Sequence, residues 1–354
     1  MKKTQLILAA AALVALASCS NEGYTPSSSL DNEIGFNAVA RKATRANNTI
    51  FTSSVYDTLT NNTFQVWGWQ SESGDFTASE LADNAASNFM TDLTISWTSG
   101  RDNSRAKAWR NEANYYYWPF TGKISFLAIH PSTVAPTSTG WDATNKKPKA
   151  KIENYTVTGK DSTDLMFATA VGARRADALP VSFNHALAQI QFRVRTNADY
   201  TVDEVSFKID SVKFNNIALA GDVTFANDAI SWDNIADQTS GKDYYKTTQV
   251  VNYKENDAAA DLYGRALVMI PQPANVLDNT VNPVDDVQTT LTIGYTMKQK
   301  NNAEIHGIVN VAAPQEWVAG SKYFYTLNFN LNEITFNPSV SDWVVVNVAT
   351  INVP

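Results

Sequence analysis

The chain has 354 residues, with 28 Lys or Arg against 35 Asp or Glu, and so carries a net charge of −7 with no basic run. That balance argues against nucleic acid as a partner, because neutralising phosphates takes clustered Lys and Arg. Only 18% of the residues are charged, while Asn, Thr, Val, Tyr, Phe and Trp are plentiful, a bias toward strands with little amphipathic helix in it.

Met1-Lys2-Lys3 precedes an uncharged run of twelve apolar residues, 6–17, after which the sequence turns polar. This is the form of a signal peptide over residues 1–18. At a helical rise of ~1.5 Å per residue the run spans only ~18 Å, short of the ~30 Å hydrocarbon thickness, so it reads as a signal core and not as a permanent span. Leu16-Ala17-Ser18-Cys19 resembles a bacterial lipobox, which implies cleavage between Ser18 and Cys19 and a lipid on the Cys19 sulfur. Cys19 is the only cysteine, so this thiol has no disulfide partner in a compartment that permits disulfides. Acyl chains there would hold the protein on a membrane. Residues 19–33, with Ser27-Ser28-Ser29, read as a lipidated flexible tether.

The remaining chain is long enough for two domains, each with its own core. Runs with period-two or continuous apolar character cover residues 34–40, 64–69, 93–97, 115–118, 124–129, 165–168 and 181–194, separated by Asn, Asp, Gly, Ser and Pro clusters. These predict strands. In the last of them Asn184, Ala186, Ala188, Ile190, Phe192 and Val194 share one face, and His185, Gln189, Gln191 and Arg193 lie on the other, expected wet. The polar stretch at residues 172–177 precedes this strand, which places a domain boundary near 177: one β-sandwich over 34–177 and a second over 178–354.

Further on, Val205, Phe207 and Ile209 share one parity and Val212 and Phe214 the opposite one. A bulge near Asp210-Ser211 would restore the face. Later strands are expected at residues 266–270, 290–297, 305–311 and 322–331, the last with Tyr323, Tyr325, Leu327, Phe329 and Leu331 on one face. Strands recurring without helical patterns between them favour an all-β fold of sandwiches over βαβ units.

Little here points to chemistry. His130, His185 and His306 are the only histidines and fall on separate strand candidates without Cys, Asp or Glu at ligand spacing, so neither a metal nor a cofactor is expected. The chain has no Gly-x-Ser-x-Gly elbow, P-loop or Gly-x-Gly-x-x-Gly. Asp285-Asp286 and Asp203-Glu204 are sequence neighbours, the wrong arrangement for a shared acid and base on a strand. No catalytic residue is assigned, and the chain reads as a protein that is not an enzyme. Among nine tryptophans, Trp67, Trp97 and Trp118 sit in or beside strands and read as core, whereas Trp141 and Trp232 lie in polar surroundings where an exposed indole could stack on a sugar.

Tyr115-Tyr116-Tyr117-Trp118-Pro119, then Lys123-Ile124-Ser125-Phe126-Leu127-Ala128 and Pro131, resemble a stretch of the fimbrillin-like proteins of Bacteroidetes. Thr163-Asp164-Leu165-Met166-Phe167-Ala168, Phe183-Asn184-His185-Ala186, Met269-Ile270-Pro271-Gln272, Trp317-x-Ala319-Gly320-x-x-Tyr323-x-Tyr325 and Ile334-Thr335-Phe336 with Val340-x-Asp342-Trp343 follow in the family's order. The resemblance implies two transthyretin-like β-sandwich domains in tandem after a lipoprotein signal peptide. It also implies a pilus subunit, exported as a lipoprotein to the cell outer membrane, cut after an arginine by an arginine-specific protease, and joined to other pilus subunits by strand exchange. The fibre would adhere to a host or bacterial surface ligand.

Two local features fit that implication. Arg45-Ala46 lies just beyond the first strand, so residues 34–45 would form a removable segment, although Arg41, Lys42 and Arg45 also read as a basic turn. Residues 343–354, with Val344, Val345, Val346, Val348, Ile351 and Val353, have the composition of a donor strand, and equally of the body's own last strand. The alternative from another class is a surface glycan-binding lipoprotein, whose sign would be exposed coplanar aromatic rings.

Overall fold

The computed structural model describes residues 32–40, 63–99, 108–157, 163–196, 205–235, 242–251, 260–261, 267–273, 275–278, 285–299, 303–312, 316–329 and 334–341. All regular structure among them is β, so the all-β class is what the chain adopts.

The first strands are β1 (Phe36–Ala40), β2 (Phe64–Ser71), β3 (Met90–Thr98), β4 (Ala108–Arg110) and β5 (Lys123–His130). Then come β6 (Ser138–Asp142), β7 (Lys147–Thr156), β8 (Met166–Gly172) and β9 (Leu179–His185). Seven of these close a barrel in the order β1-β4-β3-β2-β5-β8-β9, and the parallel pairing of β1 with β9 completes the ring. In β9, Leu179, Val181 and Phe183 face the barrel core while Pro180 and Ser182 are exposed, the alternation of a strand with one wet face. β5 differs. Every residue from Ile124 to His130 is buried, because Ile124, Phe126 and Ala128 fill the barrel while Leu127 and Ile129 meet a second hydrophobic layer outside it.

That layer includes the sheet β13-β12-β7-β6, where β12 is Ala220–Ala226 and β13 is Ala229–Asp233. The β12–β13 hairpin turns on Asn227 and Asp228, both at positive φ (51° and 59°), the left-handed geometry of a two-residue type I′ loop. The Asp228 carboxylate accepts hydrogen bonds from Lys147 of β7 and Thr169 of β8. Phe225 stacks on Phe167 of the barrel wall with ring centroids 4.6 Å apart.

The other strands are β10 (Ala188–Thr196), β11 (Val205–Asn215), β14 (Lys242–Val251), β15 (Ala260–Asp261) and β16 (Leu267–Met269). After them come β17 (Asn275–Asp278), β18 (Asp285–Gln288), β19 (Thr290–Gln299), β20 (Ile305–Ala312), β21 (Lys322–Phe329) and β22 (Ile334–Ser341). Two sheets, β15-β10-β21-β22 and β14-β11-β19-β20, form a sandwich. Their inner faces meet through Phe192 and Phe214 (5.5 Å), Phe207 and Phe329 (5.3 Å) and Phe214 and Tyr325 (5.7 Å). The register slips between Ile209 and Ser211 against both neighbours of β11, at the bulge that the parity change predicts.

Four expectations need correction. Residues 181–194 are two strands, because odd-numbered residues are buried in β9 and even-numbered ones in β10, with Ala186 and Leu187 fully buried where the chain passes from barrel to sandwich. A cut at 177 falls between β8 and β9, which pair within one barrel, and β7 pairs with β12 across it. The change of sheet comes instead at Ala186-Leu187. Residues 115–118 form no strand; one bridge, Glu33 to Tyr117, is their only ladder contact among the described residues. In β21 Tyr323, Tyr325, Leu327 and Phe329 of the expected inner face are buried, with Leu331 outside the described residues, but Phe324 and Asn328 on the opposite face are buried too. There the Arg193 guanidinium lies 3.4 Å from the Phe324 ring centroid, a cation covering an aromatic face.

Candidate assembly site

β1 is the strand that closes the ring. Its five residues run parallel to β9 in unbroken register, from Phe36 opposite Leu179 to Ala40 opposite Phe183, and Phe36 also pairs with Trp109 of β4. The alternation Ile34, Phe36, Ala38 turns three apolar side chains into the barrel core, while Asn37 faces out. Phe36 meets Phe126 edge-on at 5.2 Å and Phe64 at 6.2 Å. Burying Ile34 and Phe36 stabilises the barrel by roughly 1.5–3 kcal/mol each. Without β1, the six other strands would be an open sheet with β4 and β9 as unpaired edges around an apolar slot.

The entry to β1 is held from three sides. Ile34 donates its N–H to the Tyr116 carbonyl (2.7 Å), and Trp118 donates to the Asn32 carbonyl (2.8 Å). The Leu179 N–H reaches the Gly35 carbonyl at 2.7 Å. From β4, Arg110 Nε stands 3.9 Å from Glu33 Oε1, with side chains only 11% and 2% exposed. A buried pair of this kind is costly to break from one side, since the remaining charge keeps its desolvation penalty. Sequence reasoning missed Glu33 and Arg110. A lone acid heading an apolar strand was the available signal for Glu33, whereas nothing local marks Arg110 as its partner.

Cys19, Ser18, Arg45, Ala46, Val344, Val345, Val346, Val348, Ile351 and Val353 lie outside the described residues. The tryptophans with sugar-platform potential are not exposed. Trp141 is fully buried, stacked on Phe76 at 5.1 Å and near Trp69 at 6.2 Å. Trp232 is half-buried and donates its indole N–H to the Ala186 carbonyl at 2.8 Å.

The histidines are less scattered than their spacing suggests. His130 and His185 flank Met166 in the β5-β8-β9 ladder at one end of the barrel. His185 is buried, not wet as expected, and its Nδ1 meets the Asp164 carboxylate. Nδ1 of His130 bonds the Thr63 carbonyl at 3.0 Å. Burial holds His130 below the usual imidazole range, against the opposing pull of that bond and of Asp164. His306 is exposed on β20, 2.8 Å from the Thr296 hydroxyl. Among the described residues no three His, Cys, Asp or Glu side chains converge as a metal site would need.

Comparison with known proteins gives one family: the fimbrillin-like model matches residues 44–343. A crystal structure of a fimbrial protein from Bacteroides vulgatus is similar over 88% of this chain and 99% of that one, with a TM-score of 0.59 at 18% identity. A structure from Bacteroides uniformis assigned to cell adhesion covers 89% of this chain and 100% of its own, at 16% identity and a TM-score of 0.45. No curated protein matches the chain.

Proposed function

The chain belongs to the fimbrillin-like family, and on that premise we propose that it is a surface pilus subunit, exported as a lipoprotein through Cys19, processed after Arg45 and polymerised by strand exchange. Its role is structural and adhesive, at the cell surface, with other pilus subunits as partners. The observation that carries this reading is the place of β1. A single strand closes the barrel, contributes Phe36 and Ala38 to its core together with Ile34 just before it, and precedes Arg45 by only a few residues.

Cutting after Arg45 would separate β1 and the lipid from the body together. The emptied slot then has two strand edges and an apolar lining, which favour capture of a strand from another chain. Residues 343–354, rich in Val and apolar at both parities, have the composition to serve as such a strand for a neighbouring subunit. While β1 stays in place it occupies the slot itself, so the uncut precursor is expected to remain monomeric on the outer membrane.

The test is to treat the purified precursor with an arginine-specific protease, alone and mixed with other subunits. A new N-terminus at Ala46 together with an SDS-resistant ladder on unboiled gels is the expected result. Monomers in every lane after cleavage at Arg45 would overturn the reading.

A further inference from the structure

Resting on the reading that β1 is replaced after processing, we infer that Arg110 selects the incoming strand, admitting one with a carboxylate at the position of Glu33 and glycine at that of Gly35. The occupant is thus an extended peptide of the pattern acid, apolar, glycine, aromatic.

The apolar slot alone cannot fix the register. Ile34, Phe36 and Ala38 repeat every second residue, so a strand displaced by two would still turn apolar side chains inward. A charge at one end narrows that ambiguity. A shift by two in one direction sets Gly35 and not a carboxylate beside the guanidinium. A shift by two in the other sets Asp31 there, but it brings the Glu33 side chain to the place where Arg110 crosses Gly35 and polar Asn32 to the buried place of Ile34. Arg110 belongs to the body and not to β1. Its Nη1 donates to the Thr98 carbonyl of β3 at 3.1 Å, a bond that does not depend on the occupant of the slot.

Gly35 belongs to the same device. A Cβ there would stand 3.3 Å from Arg110 Nε, 3.5 Å from its Cζ and 3.3 Å from the Ala108 Cβ. The guanidinium therefore crosses the strand where there is no side chain, and from that position it reaches Glu33. A Cβ at 35 would require Arg110 and Ala108 to give by a few tenths of an ångström, and a larger side chain there would compete with the guanidinium for the space from which it reaches the carboxylate.

The consequence concerns this chain's own C-terminal run. Residues 343–354 contain no Asp, Glu or Gly, and the acid just before them, Asp342, is followed two residues on by Val344 and not by glycine, so the run does not offer the acid, apolar, glycine pattern that Arg110 reads. The slot described here is fitted to a different strand, and residues 343–354 to a differently lined slot, which makes a polymer of unlike subunits the favoured assembly.

The experiment uses the full chain and a charge-swapped full chain carrying Glu33→Lys with Arg110→Glu, a pair that preserves the interaction before cleavage. Each is cut with the arginine-specific protease in the presence of fluorescent peptides: residues 31–40, the same peptide with Glu33→Lys, and residues 343–354. Incorporation is read on unboiled denaturing gels. The wild-type body is expected to take the native 31–40 peptide over the Lys version by at least about tenfold and the swapped body to reverse that order, since a like charge in a buried site is strongly disfavoured. It is also expected to take residues 343–354 more weakly than residues 31–40. The same preference in both bodies, or equal entry of residues 343–354 and 31–40 into the wild type, would overturn the inference. Entry of no peptide into a cleaved and still folded body would instead overturn strand replacement itself.

Discussion

The indole of Trp118 occupies the space over Gly172: a Cβ on that glycine would stand 2.4 Å from Cη2 of the ring and 3.0 Å from Cδ1 of Leu179. The backbone of Trp118 also holds Asn32, and Leu179 holds Gly35, so this one contact supports both sides of the entry to β1. Gly172→Ala is expected to destabilise the protein by roughly 1–3 kcal/mol through overpacking. It should also speed exchange of the Ile34 amide beyond the global loss. Urea titration and hydrogen exchange check the two effects, and unchanged protection of Ile34 would argue against the loop as the support of the strand.

Phe36→Ala removes the largest side chain that β1 places in the barrel, between Phe64 and Phe126. A loss of about 3–5 kcal/mol is expected from a fully buried Phe. Asn37→Ala on the exposed side of the same strand should stay within about 0.5 kcal/mol. Chemical denaturation of the intact precursor distinguishes them, and equal effects would mean that the two faces are not inside and outside.

A pH dependence follows from His130. Its folded value lies below the unfolded one, about 6.5, because burial disfavours the charged ring. The unfolded chain therefore binds the proton more readily, and the stability that the neutral His130 contributes is present above about pH 6.5 and is lost as the pH falls through the folded value. His130→Gln should lose less stability than the wild type between pH 7.5 and pH 5. Parallel urea midpoints for the two proteins across that range would contradict the assignment.

Cys19→Ala removes the only thiol that could carry lipid. The expected outcome is transfer of the protein from the detergent phase to the aqueous phase in cells that process lipoproteins. Unchanged partitioning would show that Cys19 is not the anchor.

The sequence reveals the strands whose alternation survives in the fold, among them β21 and the two halves of β11 with the bulge between them. It conceals β7, which carries Lys147, Pro148, Lys149 and Lys151 and is absent from the strands predicted from the sequence, although it pairs with β6 and β12. Its partner β12 is distant in the chain, and local pattern carries no trace of such pairing. Trp141 misled for a related reason: its sequence neighbours are polar, but Phe76 and Trp69 come from a distant strand and loop to cover it. Tyr115, Tyr116 and Tyr117 have the propensity of a strand, yet they form a loop that holds the start of β1. For the assembly site, the apolar face of β1 is legible residue by residue. The Glu33–Arg110 pair is not, because a long-range ion pair leaves no periodic signature.

The central claim is that β1 is a removable occupant of its slot, and Arg45→Ala tests it most directly. Wild-type and Arg45→Ala precursors are incubated with the arginine-specific protease and the partner subunits, and polymer length is measured on denaturing gels without boiling. A ladder from the wild type with monomer alone from Arg45→Ala is the predicted result. Wild-type polymer length from Arg45→Ala would contradict the account.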